Sequence, residues 1–338
     1  MLSRPEGIKN IHLNDQPVTA NQSPQSINYF SRILRSFASY LPAIGLYQAV
    51  PQRPQGISIY MRVKDERDWI AASVASIKNI ADEIIIVDNG SEDGTYEILQ
   101  ELAQKGKGLI KLSKRPELHH CDLSNFALEQ TSFRWVFRWD GDMVAHTDGN
   151  HPIAELRARI LALNPNRHYL IYLRHINLSG DLFHQDPQEM VHIEEYIHTF
   201  SRSAFFIHPG RFEAVKFPLC YKPLFWYEPY VFHVNIKPAR RMLLRYFWED
   251  WMELKDYIRY PTLEDYVRTH MTEEFNTSQW EEAENRCVNK ILKDHIPFDQ
   301  ERFGPYPELL KPLLDDPKYR IQYKDDHITR RMDRRDGP

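Results

Sequence analysis

The segment Trp139-Asp140-Gly141-Asp142 sets two carboxylates one residue apart at the close of the run Phe133-Arg134-Trp135-Val136-Phe137. Hard divalent cations take oxygen ligands, so a pair like this at the end of a buried strand suits an ion that carries phosphates. Asp-Gly-Asp is also ordinary turn chemistry, because Asp bonds its own backbone and Gly permits unusual angles. The two possibilities are separated by the elements that present the pair, and these lie upstream.

Residues 56–63 (Gly-Ile-Ser-Ile-Tyr-Met-Arg-Val) have the composition of a strand, and the spacing of Trp69, Ile70, Val74 and Ile77 predicts a helix over 67–79. Glu83-Ile84-Ile85-Ile86-Val87-Asp88 is a second, fully apolar strand, followed by a helix from Asp93 through Tyr96, Ile98, Leu99 and Leu102. A third strand at 109–112 and a helix over 122–131 lead to the strand that ends at Asp140. Strands separated by helices of this length imply parallel pairing through right-handed crossovers, with ligands gathered at the carboxyl ends of the strands. Asp65, Asp88 and Asp140 each stand at or just beyond such an end, and that coincidence favours the chemical reading of Asp140 and Asp142.

Composition narrows the class. A chain of 338 residues, 42% hydrophobic and 12% aromatic, can bury a full core. With 43 basic against 47 acidic residues the formal charge is −4, which provides no general attraction to nucleic acid. Cys121, Cys220 and Cys287 are isolated and odd in number, so neither a disulfide framework nor a zinc site is expected. The chain has no run of apolar residues long enough to span a membrane, and its first sixteen residues lack the apolar core of a signal peptide. A soluble protein of the reducing cytoplasm is expected. Repeats with a period of 20 to 50 residues are not apparent, which argues against a solenoid.

Val63-Lys64-Asp65-Glu66-Arg67, then Ile86-Val87-Asp88-Asn89-Gly90-Ser91-Glu92-Asp93-Gly94-Thr95, then Ser124-Asn125-Phe126-Ala127-Leu128 and then Asp140-Gly141-Asp142 resemble, in that order, the family 2 glycosyltransferases with the GT-A fold. The resemblance is strong over about 56–145 and looser to about 245. It departs at Asp65, where the family usually has Asn before Glu. It implies an α/β fold, a mainly parallel mixed sheet flanked by helices, with a helical C-terminal extension. The implied organisation is a loose tail over 1–25, an amphipathic helix and linker over 26–55, a catalytic domain over 56–237, helices over 238–320 and a tail over 321–338. Within the catalytic domain, 56–145 is the nucleotide-sugar half and 146–237 the acceptor half.

A nucleotide-sugar donor presents a base and ribose that need hydrogen-bond acceptors and a diphosphate that needs charge neutralisation. Asp88 can accept from base or ribose, while the turns at Gly90 and Gly94 let backbone approach a flat ligand. Asp93 contacts the donor or, alternatively, caps its helix. The resemblance implies that Glu66 lies beside the nucleotide, that Asp140 and Asp142 hold Mn2+ or Mg2+ across the phosphates, and that His233 completes the metal site. An ion there would act as a Lewis acid on the leaving diphosphate. Lys237, Arg240 and Arg241 either reach the diphosphate or start a solvated helix.

The family inverts the anomeric centre in one displacement, so a carboxylate must deprotonate the acceptor hydroxyl. Glu213 stands roughly where related enzymes place that base, with Asp181, Asp186, Glu194 and Glu195 as competitors. The acceptor is expected to be a saccharide, glycolipid or protein. Two other classes remain open: a sugar nucleotidyltransferase, and a non-catalytic nucleotide- or glycan-binding protein. The former is disfavoured because Arg62-Val63-Lys64-Asp65-Glu66 lacks the glycines of a phosphate loop.

Two regions outside this core carry a pattern. Ile27, Phe30, Ile33, Leu34, Phe37 and Leu41 recur at helical spacing, with Arg32 and Arg35 away from them. Residues 27–42 thus form either a helix docked on the protein itself or one lying peripherally on the inner face of a membrane. Beyond 238 the pattern predicts helices over 240–260, 263–271, 278–293 and 307–314, with Trp248, Trp251, Leu254 and Ile258 packed against the domain.

Overall fold

Every residue of the stretch Glu83–Asp88 is buried, as it must be in a strand covered on both faces. In the computed structural model, which describes residues 29–41, 44, 53–118, 120–149, 151–207, 214–253, 258–317, 320–324 and 327–329, that stretch lies inside an eight-stranded mixed sheet. A helix, α1 (Tyr29–Ala38), precedes the sheet. Then β1 (Ile57–Val63), α2 (Ile70–Ile77), β2 (Glu83–Asp88), α3 (Thr95–Lys105), β3 (Ile110–Lys114), α4 (His120–Glu129) and β4 (Trp135–Asp140) alternate strictly. β1 pairs in parallel with both β2 and β4, and β2 with β3. Alternation along β2 sends Ile84 and Ile86 toward the core shared with α2 and α3, and Ile85 and Val87 toward the core shared with α4.

The remaining strands complete the sheet with mixed polarity. β5 (Met143–Ala145) follows the acidic turn, and α5 (Ile153–Leu161) leads to β6 (His168–Ser179), β7 (His184–Gln185) and β8 (Val191–Thr199). β9 (Phe205–Ile207) and β10 (Ala214–Lys216) form a separate hairpin-like pair, and β11 (Tyr221–Asn235) is the longest strand. The order across the sheet is β3-β2-β1-β4-β8-β6-β11-β5, with β8 antiparallel to both neighbours and β5 antiparallel to β11. The observed architecture is the one expected of a GT-A fold with a helical extension.

After the sheet, α6 (Ala239–Glu253), α7 (Leu263–Phe275) and α8 (Trp280–Leu292) pack on each other through Leu243, Phe247, Tyr266, Met271 and Cys287. β12 (Ile296–Pro297) pairs with β7, and α9 (Gln300–Phe303) begins a segment whose Phe303, Tyr306 and Leu310 cover Ile176 and Phe232. Three expectations for this region change. Residues 307–314 form turns and a single 3-10 turn at Lys311–Leu313, with Pro307 before it and Pro312 within it, instead of an α-helix. Ile258 is 75% exposed instead of packed, and Leu254 lies outside the described residues. The supposed tail contains β13 (Gln322–Lys324) and β14 (His327–Thr329), a hairpin held to α8 by Asn289, which donates to Ile328 O and accepts from Ile328 N.

Candidate active site

Parallel register sets the site's frame. Asp88 is level with Val63, and Asp140 with Arg62, so the carboxyl ends of β2, β1 and β4 lie abreast. Two strand spacings separate the outer pair, roughly 10 Å of backbone. The loop after β1 is stitched to the loop after β2. Asp65 N donates to Ser91 Oγ, Glu92 N to Asp65 Oδ1, Glu66 N to Thr95 Oγ1 and Arg67 N to Asp93 Oδ2. Asp65 has φ of 55°, a left-handed conformation that Asp tolerates as Asn does, so the departure from the family residue keeps both geometry and acceptor.

Asp88 is fully buried, and its Oδ1 accepts from Gly90 N and Ser91 N at 2.9 and 3.1 Å. Its Oδ2 is buried without a hydrogen-bond partner. A buried acceptor left in that state carries a desolvation penalty that a ligand donor would remove. Gly90 sits at φ of 80° with Pro116 Cβ 3.0 Å from where a side chain would start, so the turn beside Asp88 requires glycine.

Asp142, by contrast, is fully engaged. His233 Nε2 lies 3.2 Å from its Oδ1, and Lys237 Nζ donates to its Oδ2 at 2.6 Å. Lys237 also donates to both oxygens of Glu66 at 2.8 Å, and Arg241 donates to Glu66 Oε1 at 2.9 Å, to Lys64 O and to Asp65 O. Burial alone would raise the pKa of Asp142, but Lys237 and His233 outweigh it and hold the carboxyl well below its usual range. For Glu66 burial wins and its pKa is raised, with Asp142 adding to the rise and Lys237 and Arg241 opposing it. Burial would lower His233, yet Asp142 raises it above the ordinary imidazole value.

Backbone and indole contacts hold this group in place. Met143 stands opposite His233 in the β5–β11 ladder, and Val234 N donates to Asp142 O at 2.8 Å. Trp69 Nε1 donates to Ile236 O and Trp139 Nε1 to Ser73 Oγ, tying α2 to the residue before Lys237 and to the residue before Asp140. A Cβ at Gly141 would lie 2.9 Å from Glu66 Cγ, so the glycine between the aspartates lets the Glu66 stem pass.

The site thus gathers Glu66, Asp142, His233 and Lys237 in one hydrogen-bonded group, with Asp140 at the end of the adjoining strand and Asp88 beyond β1. Asp93 has both oxygens committed to Thr95 and Arg67, as a loop clasp. Arg240 points elsewhere, against Glu284 and the Trp280 ring, while Arg241 one residue on faces the site. Asp181 accepts from Phe183 N and from the distant Ile321 N and pairs with the His184 ring, Asp186 accepts from Gln188 N, and Glu213 lies outside the described residues. Glu194 pairs with Arg138 at 2.5 Å. Burial raises the pKa of the neighbouring Glu195, and Glu194 raises it further.

Some members of the site carried no sequence signal. Asn177 Oδ1 lies 3.2 Å from His233 Nδ1, and the His175 ring meets His233 edge-on while stacking on His192. Each sits in an apolar strand run where one polar residue resembles another.

Asp140, Asp142 and His233, expected to hold a divalent ion, do not form a ligand set for one in this arrangement. Both Asp142 oxygens are occupied, and among the described residues no three His, Cys, Asp or Glu side chains are placed to share a metal. A divalent ion about 4 Å from the Lys237 ammonium would meet a repulsion of roughly 8 kcal/mol at an effective dielectric of about 20, set against the attraction of Glu66 and Asp142, whose oxygens Lys237 already engages.

Residues 58–156 match the family described as Glycosyl transferase family 2. This stretch belongs to that family. An uncharacterized glycosyltransferase of Rickettsia typhi is 35% identical over 86 residues, 25% of this chain and 27% of the relative. The lipopolysaccharide core biosynthesis glycosyltransferase LpsC of Rhizobium meliloti is 32% identical over 93 residues, 28% of this chain and 33% of the relative. The family 2 likeness thus spans about a third or less of the length of these curated relatives. Among solved structures, S. aureus TarS 1–349 in complex with UDP-GlcNAc covers 84% of this chain and 98% of its own, at 10% identity and a TM-score of 0.40. Glucosyl-3-phosphoglycerate synthase from Mycobacterium tuberculosis, in complex with Mn2+ and UDP-glucose, covers 43% of this chain and 48% of its own, at 19% identity and a TM-score of 0.27.

Proposed function

We propose that the protein transfers a sugar from a nucleoside-diphosphate sugar to a hydroxyl acceptor, with inversion at the anomeric carbon. The observation that carries this is Asp88 Oδ2, a buried acceptor without a partner at the end of β2, beside the turn that Gly90 makes at φ of 80°. A base or ribose donor supplies the missing hydrogen bond. The diphosphate then extends along the strand ends toward Asp140 and the Lys237–Arg241 cations.

In the displacement, the acceptor oxygen bonds to the anomeric carbon as the bond from that carbon to the β-phosphate oxygen breaks, its electron pair leaving with the nucleoside diphosphate. The acceptor proton passes to a carboxylate. Glu213 is our candidate for that base. Glu195 on β8 is the alternative, because burial and Glu194 raise its proton affinity toward what a base needs. A saccharide, glycolipid or protein acceptor would lie over 146–237, whose aromatic side chains suit sugar faces.

A thermal-shift screen of UDP-, GDP-, CMP- and dTDP-sugars, followed by sugar-transfer assays with the stabilising donor, tests the proposal. Stabilisation by one nucleotide class and its loss in Asp88→Ala are expected. If no nucleotide sugar shifts the melting temperature and none is hydrolysed or transferred, the proposal fails.

A further inference from the structure

We infer that Lys237 is the resident cation of the donor-diphosphate site, so that charge on the departing nucleoside diphosphate is met by Lys237 and Arg241 without a divalent ion. This rests on the nucleotide-sugar reading above. Lys237 is only 5% exposed, and its ammonium is enclosed by carboxylates from two loops, Glu66 after β1 and Asp142 after β4. An ammonium in that position supplies one positive charge where an ion shared by the two loops would otherwise sit. Arg241 lies four residues on, in the first turn of α6, and grips Glu66 Oε1 and the backbone of the same loop. The carboxylates of Glu66 and Asp142 balance the cations of Lys237 and Arg241 in formal charge, so neither cation is left unpaired in this buried group.

Its placement is fixed by neighbours. Trp69 holds Ile236 O from α2, Ile236 N donates to Val234 O, and Pro238 restricts the backbone on the other side. Lys237 has three N–H donors and spends two on a single carboxylate. Turning one of the Glu66 bonds to a phosphate oxygen keeps Glu66 and Asp142 neutralised, because Arg241 retains Glu66. When the anomeric bond breaks, the electron pair goes to the β-phosphate oxygen and the charge that develops there is drawn to the ammonium. No co-reactant is needed beyond donor, acceptor and the base that takes the hydroxyl proton.

The test is binding of UDP and GDP, by calorimetry, to the full chain dialysed against EDTA and to the same protein with Mn2+ added. The wild type should bind one of them equally well, within about twofold, under both conditions. Lys237→Met should lose about tenfold or more in EDTA and regain part of it with Mn2+, because the vacated space between Glu66 and Asp142 then accepts an ion. Lys237→Arg keeps the charge and should lose less than Lys237→Met. Wild-type binding that appears only with Mn2+ overturns the inference while leaving the nucleotide-sugar reading standing, and it needs no variant to fold. If neither nucleotide binds under either condition the inference fails, and the nucleotide-sugar reading fails with it when CMP- and dTDP-sugars are also without effect.

Discussion

The indole Nε1 of Trp69, at the start of the first helix after β1, donates to the backbone oxygen of Ile236 at 3.2 Å, 167 positions later in the chain. That bond joins the nucleotide half to the segment that delivers Lys237. Trp69 is buried, so the whole side chain packs there as well. Trp69→Phe should keep most of the packing and lose the bond, at a cost of about 1 kcal/mol, whereas Trp69→Ala should cost roughly 3–5 kcal/mol. Urea unfolding measures both. The informative outcome is that Trp69→Phe weakens nucleoside-diphosphate binding by more than its stability loss suggests, because Lys237 is less well held. Unchanged binding would show that Ile236 needs no such anchor.

Asp88→Asn separates architecture from ligand contact. The amide oxygen can go on accepting from Gly90 N and Ser91 N, so stability should change by less than about 1 kcal/mol. The other position becomes an NH2 donor where an acceptor stood. Nucleotide affinity should fall about 10–100-fold, the worth of one strong hydrogen bond and the unpaired group it leaves. Calorimetric titration with UDP and GDP decides it. Full affinity in Asp88→Asn would remove Asp88 from the donor site.

Part of the acid sensitivity should come from two histidines away from the chemistry. His168 Nδ1 lies 3.1 Å from Thr199 Oγ1, and His198 Nδ1 donates to Thr199 O, with the Tyr221 ring beside both. Burial pushes each of them down to about 4, aided at His168 by Arg134 and opposed at His198 by its bond to Thr199 O. A histidine whose folded value lies below the unfolded one is protonated first in the unfolded chain. Stability therefore falls as pH drops from about 6.5 to about 4, by up to roughly 3 kcal/mol for the wholly buried His198. Urea unfolding at several pH values should show a shallower slope over that window in His198→Asn. An unchanged slope would mean that His198 is already protonated when folded.

How much of this was legible in the sequence depends on how each contact is built. β2 was legible because a strand buried on both faces must be apolar throughout, and its end fixed Asp88. Asp142 and His233 were legible through motif order. The partnership of Lys237 with Glu66 was not, because 171 positions separate them and only the parallel topology brings the exit of β11 to the loop after β1. Asn177 and His175 gave no sign, since polar residues in a long buried strand have no periodicity to betray them. The pair of strands at 322–324 and 327–329 gives no strand signal because Gln322, Lys324 and His327 are polar, although Ile328 is buried in the core. Arg240 and Arg241 were indistinguishable until the helix assigned them to different sides.

The helix α1 offers a last prediction. One side is docked: Arg35 Nη1 donates to Pro218 O, Arg167 donates to Ser39 Oγ, and the Arg167 guanidinium lies 4.1 Å from the Tyr40 ring centre. The other side shows Ile33, Leu34 and Phe37 at 39%, 44% and 73% exposure, so docking leaves much of the apolar face uncovered. No helix among the described residues is long and apolar enough to cross a membrane, so any contact through this face would be peripheral. Full burial from full exposure is worth roughly 1.5–3 kcal/mol per side chain, and these three have about half of their surface left to bury, so any binding should be weak and reversible. The wild type should therefore sediment in part with vesicles containing anionic phospholipid, and Leu34→Glu with Phe37→Glu should stay in the supernatant. Because both side chains already face solvent, the double variant should melt within about 0.5 kcal/mol of the wild type. A wild type that never sediments would leave the exposed face without a membrane role.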